Sequence, residues 1–244
     1  MRSILFIIIA ASLITAATQT AQAQQQISVG VKAGLNLTGM RMNENTQDAL
    51  GDSKVGAGFN VGLTLDIPLT TDIVLQTGAE LSYKNAKSVK YAAQQFSILG
   101  VIIPANENLT INMTPLFVQL PFYFAYKIAI DKDIWFMPRI GPYFAYGISG
   151  KLKPRAQIAM ANFDISAGLP SADLYGPKPM MKNIDFGLGL GIGIEYSRYK
   201  IFAGYEAGLA NLASKNFKAY MDMLTEDDFS LKTGNLYISL AFGF

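Results

Sequence analysis

Ionisable side chains stand singly in otherwise apolar stretches of this chain: Lys32, Glu80, Arg139, Glu195 and Glu206 each fall on the polar side of a segment that alternates apolar and polar residues. Asn60, Gln76 and Gln119 occupy equivalent places. Two carboxylates held at a set separation can act as an acid-base couple, whereas an arginine fork can serve two carboxylates at once. The spacing favours the second use, with Arg139 as the natural hub for Glu80 and Glu206. Nothing in it singles out an acid and a base, so no catalytic residue is assigned.

Composition removes other chemistries. The chain has no His and no Cys, which excludes imidazole and thiolate catalysis, the usual transition-metal ligand sets and any disulfide framework. No metal or cofactor is expected. A formal net charge of +2, from 20 Lys+Arg against 18 Asp+Glu, argues against a nucleic-acid partner. A Ser-Lys nucleophile could be drawn from Ser88, Lys87 and Lys90, but a solvated polar loop accounts for them. The sequons at Asn108 and Asn112 are read as coincidental. The G-x-G-x-G of Gly187 to Gly191 lacks the helix a nucleotide fingerprint requires, and its glycines are read as relieving crowding.

The elements that must position these residues are strands. Period-2 alternation puts every second side chain on one face, and eight segments show it: 27–39, 55–67, 73–84, 116–128, 134–148, 184–196, 200–212 and 234–244. In the second, Val55, Ala57, Phe59, Val61, Leu63, Leu65 and Ile67 oppose Gly56, Gly58, Asn60, Gly62, Thr64 and Asp66. A tilted strand crosses a bilayer in about 9 to 11 residues, and each segment is close to that length. Pro121 and Pro138 fall inside strands four and five, where the missing N–H predicts bulges or register breaks. No amphipathic helices are available to cover the apolar faces, as a soluble domain would require.

The connections alternate between short (68–72, 129–133, 197–199) and long (40–54, 85–115, 149–183, 213–233). Short periplasmic turns and long extracellular loops are the rule for outer-membrane barrels. The expected fold is therefore all-β: an eight-stranded antiparallel up-and-down transmembrane β-barrel over residues 24–244, apolar outside and polar inside. Aromatic girdles are expected from Phe124, Tyr126, Phe136, Tyr196, Phe242 and Phe244 at the periplasmic rim, and from Tyr83, Phe144, Tyr146 and Phe186 at the outer rim. Residues 1–23 have the layout of a cleavable secretory signal: Met1-Arg2-Ser3, an apolar run from Ile4, and Ala21-Gln22-Ala23 before Gln24.

Several motifs together resemble the PorT-like outer-membrane β-barrel family of Bacteroidota: Gly30 to Asn36 (G-V-K-A-G-L-N), V-G-L-T-L-D-I-P-L from Val61, Leu120-Pro121, Ile140 to Tyr143, Asp185 to Leu188, and Tyr205 to Leu212. The likeness spans nearly all of the chain after the signal. It implies the same barrel fold and a place in the outer membrane, and through the family's namesake it points to type IX protein secretion. The family pattern has an Arg before the strand-seven Tyr205; Gly204 stands there instead, so a family-wide lumen pairing is not carried over at that strand.

The expected function is that of a non-enzymatic scaffold or interaction barrel, accessory to secretion or envelope assembly. A small-solute channel or ligand-binding barrel is the alternative. In the first reading Lys32, Glu80, Arg139, Glu195 and Glu206 plug and stiffen the lumen, since an eight-stranded barrel is just wide enough to be filled by side chains. In the second they select what passes. The expected partners are outer-membrane lipid, the barrel assembly machinery, which would read the closing strand through Phe242 and Phe244, and an envelope or secretion protein docking on the extracellular loops. For that docking, 96–104 (F-S-I-L-G-V-I-I-P) is predicted to extend strand three or four as a hairpin or to form a partner patch. Phe217, Tyr220, Met221 and Leu224 are spaced for a short helix that caps the mouth or, as the alternative, docks a partner.

Overall fold

The computed structural model describes residues 26–92, 96–98, 101–103, 107–158, 163–164, 171–217 and 229–244. The proposed signal segment and Tyr220, Met221 and Leu224 of the proposed capping helix lie outside the described residues; Phe217 is helical, with 215–216 before it. In chain order the elements are β1 (Ser28–Met42), α1 (Glu44–Leu50), β2 (Asp52–Pro68), β3 (Ile73–Tyr83), β4 (Ala86–Ala92), β5 (Phe96–Ile98), β6 (Val101–Ile103), β7 (Glu107–Met113), β8 (Leu116–Pro121) and β9 (Tyr123–Tyr126). There follow β10 (Ile128–Asp131), β11 (Ile134–Ser149), β12 (Lys151–Ile158), β13 (Phe163–Asp164), β14 (Ala172–Asp173), β15 (Ile184–Tyr196), β16 (Tyr199–Gly208) and β17 (Leu231–Gly243).

Eight staves close into a cylinder: β1, β2, β3, the pair β8 and β9, β11, β15, β16 and β17, each antiparallel to its neighbours. Closure comes from β17 against β1, in register from Gly30 opposite Gly243 to Met42 opposite Leu231. No strand edge is left unpaired in the barrel wall, as a lipid environment demands. Leu35, Leu63, Ile140, Leu190 and Leu240 are exposed on the outside, and Asn36, Asn60, Gln119, Glu206 and Asn235 are buried within. The eight-stranded antiparallel barrel expected from the sequence is thus the fold. β15 begins and ends where the alternation places the sixth segment.

The two prolines behave differently. Pro121 ends β8, and pairing against β11 resumes at Phe124 with no change of register. Pro138 does not break its strand: β11 pairs with β15 without interruption from Ile134 to Tyr146. The irregularity in β11 falls instead between Gly147 and Ser149, against β8.

Strands two to five do not stop at the rim. The upper end of β2 pairs with β4, β4 with β7, and β7 with β12, forming a wall above the barrel. Within the segment 96–104, β5 and β6 pair as a hairpin. The inner side of the wall carries Ala86, Ile111, Met113 and Leu152, which pack with Met40, Leu50 of α1, Leu212, Phe217, Phe229 and Leu231 into an apolar core over the mouth of the barrel. Asn43 caps α1, its side chain accepting from Thr46 N.

Candidate functional site

The lumen is filled in layers. At the short-turn end Lys200 pairs with Asp66 and lies 3.6 Å from Glu195 Oε2, while Lys127 Nζ donates to Glu195 Oε1 at 2.9 Å. Lys127 also lies over the Trp135 ring, 5.8 Å from its centroid. Glu195 therefore belongs to a cluster of its own, apart from Lys32 and Glu80.

Above it sits Arg139, whose guanidinium is not bridged to Glu80 or Glu206 as the spacing suggested. It donates to Gln76 Oε1 at 3.2 Å and to the Tyr237 hydroxyl at 2.8 Å. Its planar group lies 4.0 Å from the Phe202 centroid and 4.8 Å from that of Tyr123. A guanidinium stacked on rings and donating to neutral oxygens is held without a carboxylate partner.

The carboxylates are served by lysines and amides. Lys32 pairs with Glu80. Gln119 Nε2 lies 3.0 Å from Glu80 Oε1 and 2.7 Å from Glu206 Oε1, linking the two. Glu206 also accepts from the Tyr123 hydroxyl at 2.9 Å and Asn235 Nδ2 at 3.2 Å, and faces Lys84 Nζ at 3.5 Å. Glu206, with three donors and a cation, is the hub. Asn36 continues the network across the wall, donating to Ser82 Oγ at 3.1 Å and accepting from Asn60 at 2.9 Å.

Lys84 is fully buried, with its ammonium 4.9 Å from the Tyr143 centroid and 5.5 Å from that of Phe117. Next to it Asp185 Oδ2 accepts from Thr233 at 2.9 Å and Tyr143 at 3.3 Å. The Tyr175 hydroxyl, in the long connection above, is buried with no hydrogen-bond partner among the described residues, and burial pushes its phenol above its ordinary range.

Glycines make this packing fit. A Cβ at Gly187 would stand 2.7 Å from the Tyr143 ring, one at Gly189 2.6 Å from Tyr123, and one at Gly193 2.7 Å from Phe202. Gly204, where the family pattern has Arg, is overlaid by Tyr237: a Cβ there would lie 2.7 Å from Cζ of that ring. Tyr237 and Arg139 fill the lumen that a side chain at position 204 would enter. The sequence reading placed Asp66 and Asp185 on the polar faces of their strands but did not single them out, nor Lys84 and Lys200; all four carry the inward parity of their strands, which was the available signal.

With a filled polar interior, an exposed apolar exterior and no free edge, the geometry is that of a barrel in lipid. The family model described as "Outer membrane protein beta-barrel domain" matches residues 21–214. This chain belongs to that outer-membrane β-barrel family. Its place is accordingly the outer-membrane bilayer, with Val31, Leu63, Leu188 and Ile201 against lipid. The solved structures similar to this family member include Ail of Yersinia pestis (12% identity, 90% of this chain and 100% of that chain, TM-score 0.36) and Neisserial surface protein A (11%, 90% and 100%, 0.39). Another is the outer membrane protease OmpT of Escherichia coli (9%, 93% and 100%, 0.40). Likenesses of this size transfer no activity. No curated protein matches the barrel in sequence.

Phe242 and Phe244 sit together at the short-turn rim. Their ring centroids are 5.7 Å apart, and Phe242 lies 5.3 Å from Tyr199. Phe244 is 72% exposed and borders the recess at this end beside Ser28 and Gly243.

Proposed function

We propose that this protein is a non-enzymatic scaffold or docking barrel of the outer membrane, and that the partner it holds is an envelope protein of the secretion class implied by its PorT-like motifs. The observation that carries this reading is the division of labour along the axis. The lumen is packed side chain to side chain and the mouth is closed by an apolar core, so the surface left to meet a partner is the wall and hairpin built from the long connections. A conduit needs an open path; a docking barrel needs a rigid body and a projecting surface. The assembly machinery enters as a transient partner, reading Phe242 and Phe244.

One feature favours the alternative of a small-solute binder: a recess of about 220 Å³ at the short-turn end, lined by Asp66, Lys127, Glu195, Arg198 and Lys200. The two readings part in one experiment. Photoreactive residues at Asp48, Lys153 and Asn216, all exposed at the loop end, should crosslink a defined envelope protein in intact cells, and the purified protein should give no conductance steps in planar bilayers. Discrete conductance steps with no crosslinked protein would overturn the docking reading.

A further inference from the structure

The outer face of the wall carries a row of cations that no other part of the fold explains. Lys54 on β2 is directly opposite Lys87 on β4, Lys87 is opposite Asn112 on β7, and Asn112 is opposite Lys153 on β12. Residues in register share a face, and Lys54, Lys87 and Lys153 are exposed while Ala86, Ser88, Ile111, Met113 and Leu152 beside them are buried. Arg155 stands one row above, opposite Thr110, and Lys151 one row below, both exposed. Among the residues with described side chains, the carboxylates of this face are at its margins: Asp52, which accepts from Gln47 Nε2, and Asp173, opposite Lys151. Among the described residues Lys54, Lys87 and Lys153 form no ion pair.

Like charges directly opposite each other destabilise a sheet, and Lys54 against Lys87 is such a pair. An anion lying across the row relieves that repulsion. The height of the row says which anion. On the third stave the outward residues run Leu81, Tyr83, then Lys87; on the fifth they run Phe144, Tyr146, Ile148, then Lys151 and Lys153. The change from apolar to basic thus occurs on both the third and the fifth stave, which flank β7 in the wall. Lys87 is four residues past Tyr83, about 13 Å along the strand and roughly 10 Å in height at the usual tilt, just above the aromatic girdle. Lysine stems lie down along such a surface and place their ammonium groups lower still.

We infer that this row is a binding site for the phosphorylated head group of an outer-leaflet lipid, with Lys54, Lys87 and Lys153 as its phosphate ligands and Asn112 as a central hydrogen-bond donor. The acyl chains of that lipid lie against the apolar wall below. The site rests on the barrel's place in the outer membrane and not on the docking role, so either can fail alone.

The test uses the full mature barrel in uncharged maltoside micelles, with diphosphoryl lipid A as the probe and its dephosphorylated form and inorganic phosphate as controls. Each lysine near a charged surface contributes about a fivefold change in binding, so the variant Lys54→Gln/Lys87→Gln/Lys153→Gln should bind the probe roughly a hundredfold more weakly. The matching triple arginine variant should keep it. Native mass spectrometry reads the bound lipid; the temperature at which the folded band is lost on semi-native gels provides a second readout. Diphosphoryl lipid A should raise that temperature for the native chain and the arginine variant but not for the glutamine variant, which should be no less heat-resistant than the native chain when lipid is absent. Equal binding and equal stabilisation of native and glutamine chains would overturn the site. So would equal binding of the dephosphorylated lipid, or competition by inorganic phosphate that removes the lipid completely.

Discussion

The pair Lys84 and Glu206 offers the sharpest perturbation of the lumen. Lys84→Met keeps a flexible side chain of similar length but removes the cation 3.5 Å from Glu206 Oε2. Glu206 keeps its donors from Gln119, Tyr123 and Asn235, yet its charge is left buried without a counter-ion. Breaking a buried pair from one side costs about 3 to 5 kcal/mol, and the lost placement over Tyr143 and Phe117 adds about 0.5 to 2. Glu206→Gln alone strands the ammonium of Lys84 and should cost a similar amount. The double variant strands neither charge. The amide that replaces the carboxylate can still accept from Gln119 and Tyr123, leaving one mismatched donor against Asn235 at about 1 to 3 kcal/mol. The double variant should therefore be more stable than either single variant, with a coupling of at least about 2 kcal/mol in a double-mutant cycle. Urea titrations of the four proteins in uncharged lipid vesicles, followed by tryptophan fluorescence and by the folded band on gels, measure it. Additive single effects would refute the reasoning, because they would mean that the two charges are screened from each other by water in the lumen.

Arg139→Met should cost less than Lys84→Met, about 1 to 3 kcal/mol, since its partners Gln76 and Tyr237 are neutral; Arg139→Lys should not restore stability, because an ammonium cannot reproduce the planar stack on Phe202, and full rescue by lysine in the same titrations would count against that stack. Changing Phe242 and Phe244 together to Ser should leave export intact but reduce the folded protein recovered in the outer-membrane fraction severalfold, whereas normal insertion would remove the closing strand as the recognition element.

The period-2 pattern was enough to find every stave and to assign its faces, because in a bilayer the two faces of a strand meet opposite solvents. It was not enough to find where the staves end. On the third stave, residues of even number face inward throughout: Gln76, Glu80, Ser82 and Lys84, then Ala86 and Ser88. Those of odd number face outward: Leu81 and Tyr83, then Lys87. Parity is unbroken, but the two faces exchange character above the rim, most plainly on the fourth stave, where outward Val118 and Leu120 give way to Asn112 and Thr110 and inward Gln119 gives way to Met113 and Ile111. A reading that follows apolar residues ends the strand at that inversion. The pairing within the lumen was illegible for another reason. Alternation says that Arg139 points inward, but its height and rotation relative to Glu80 depend on the stagger between staves, which no single strand encodes. Lys32 and Lys84 took the role expected of Arg139 because three aromatic rings, Tyr123, Phe202 and Tyr237, set into the spaces left by Gly189, Gly193 and Gly204, enclose the guanidinium one layer lower.

That inversion also shows where each part of the molecule draws its stability. Within the bilayer the outer apolar residues gain little from folding, since lipid is as apolar as any core. Order there comes from the closed hydrogen-bond ladder and from the lumen network around Glu206, Asn36 and Arg139. Above the bilayer, water is the solvent on both sides of the wall, and Ile111, Met113, Leu152, Phe217 and Phe229 are buried for the ordinary reason that they leave it. The short steps from β3 (ending at Tyr83) into β4 (beginning at Ala86) and from β11 (ending at Ser149) into β12 (beginning at Lys151) couple a body ordered by polar pairing to a cap ordered by hydrophobic burial. The basic row lies at the seam between them. There the outward side chains must satisfy neither lipid tails nor bulk water but the charged head groups in between, and three lysines in one register row meet that requirement.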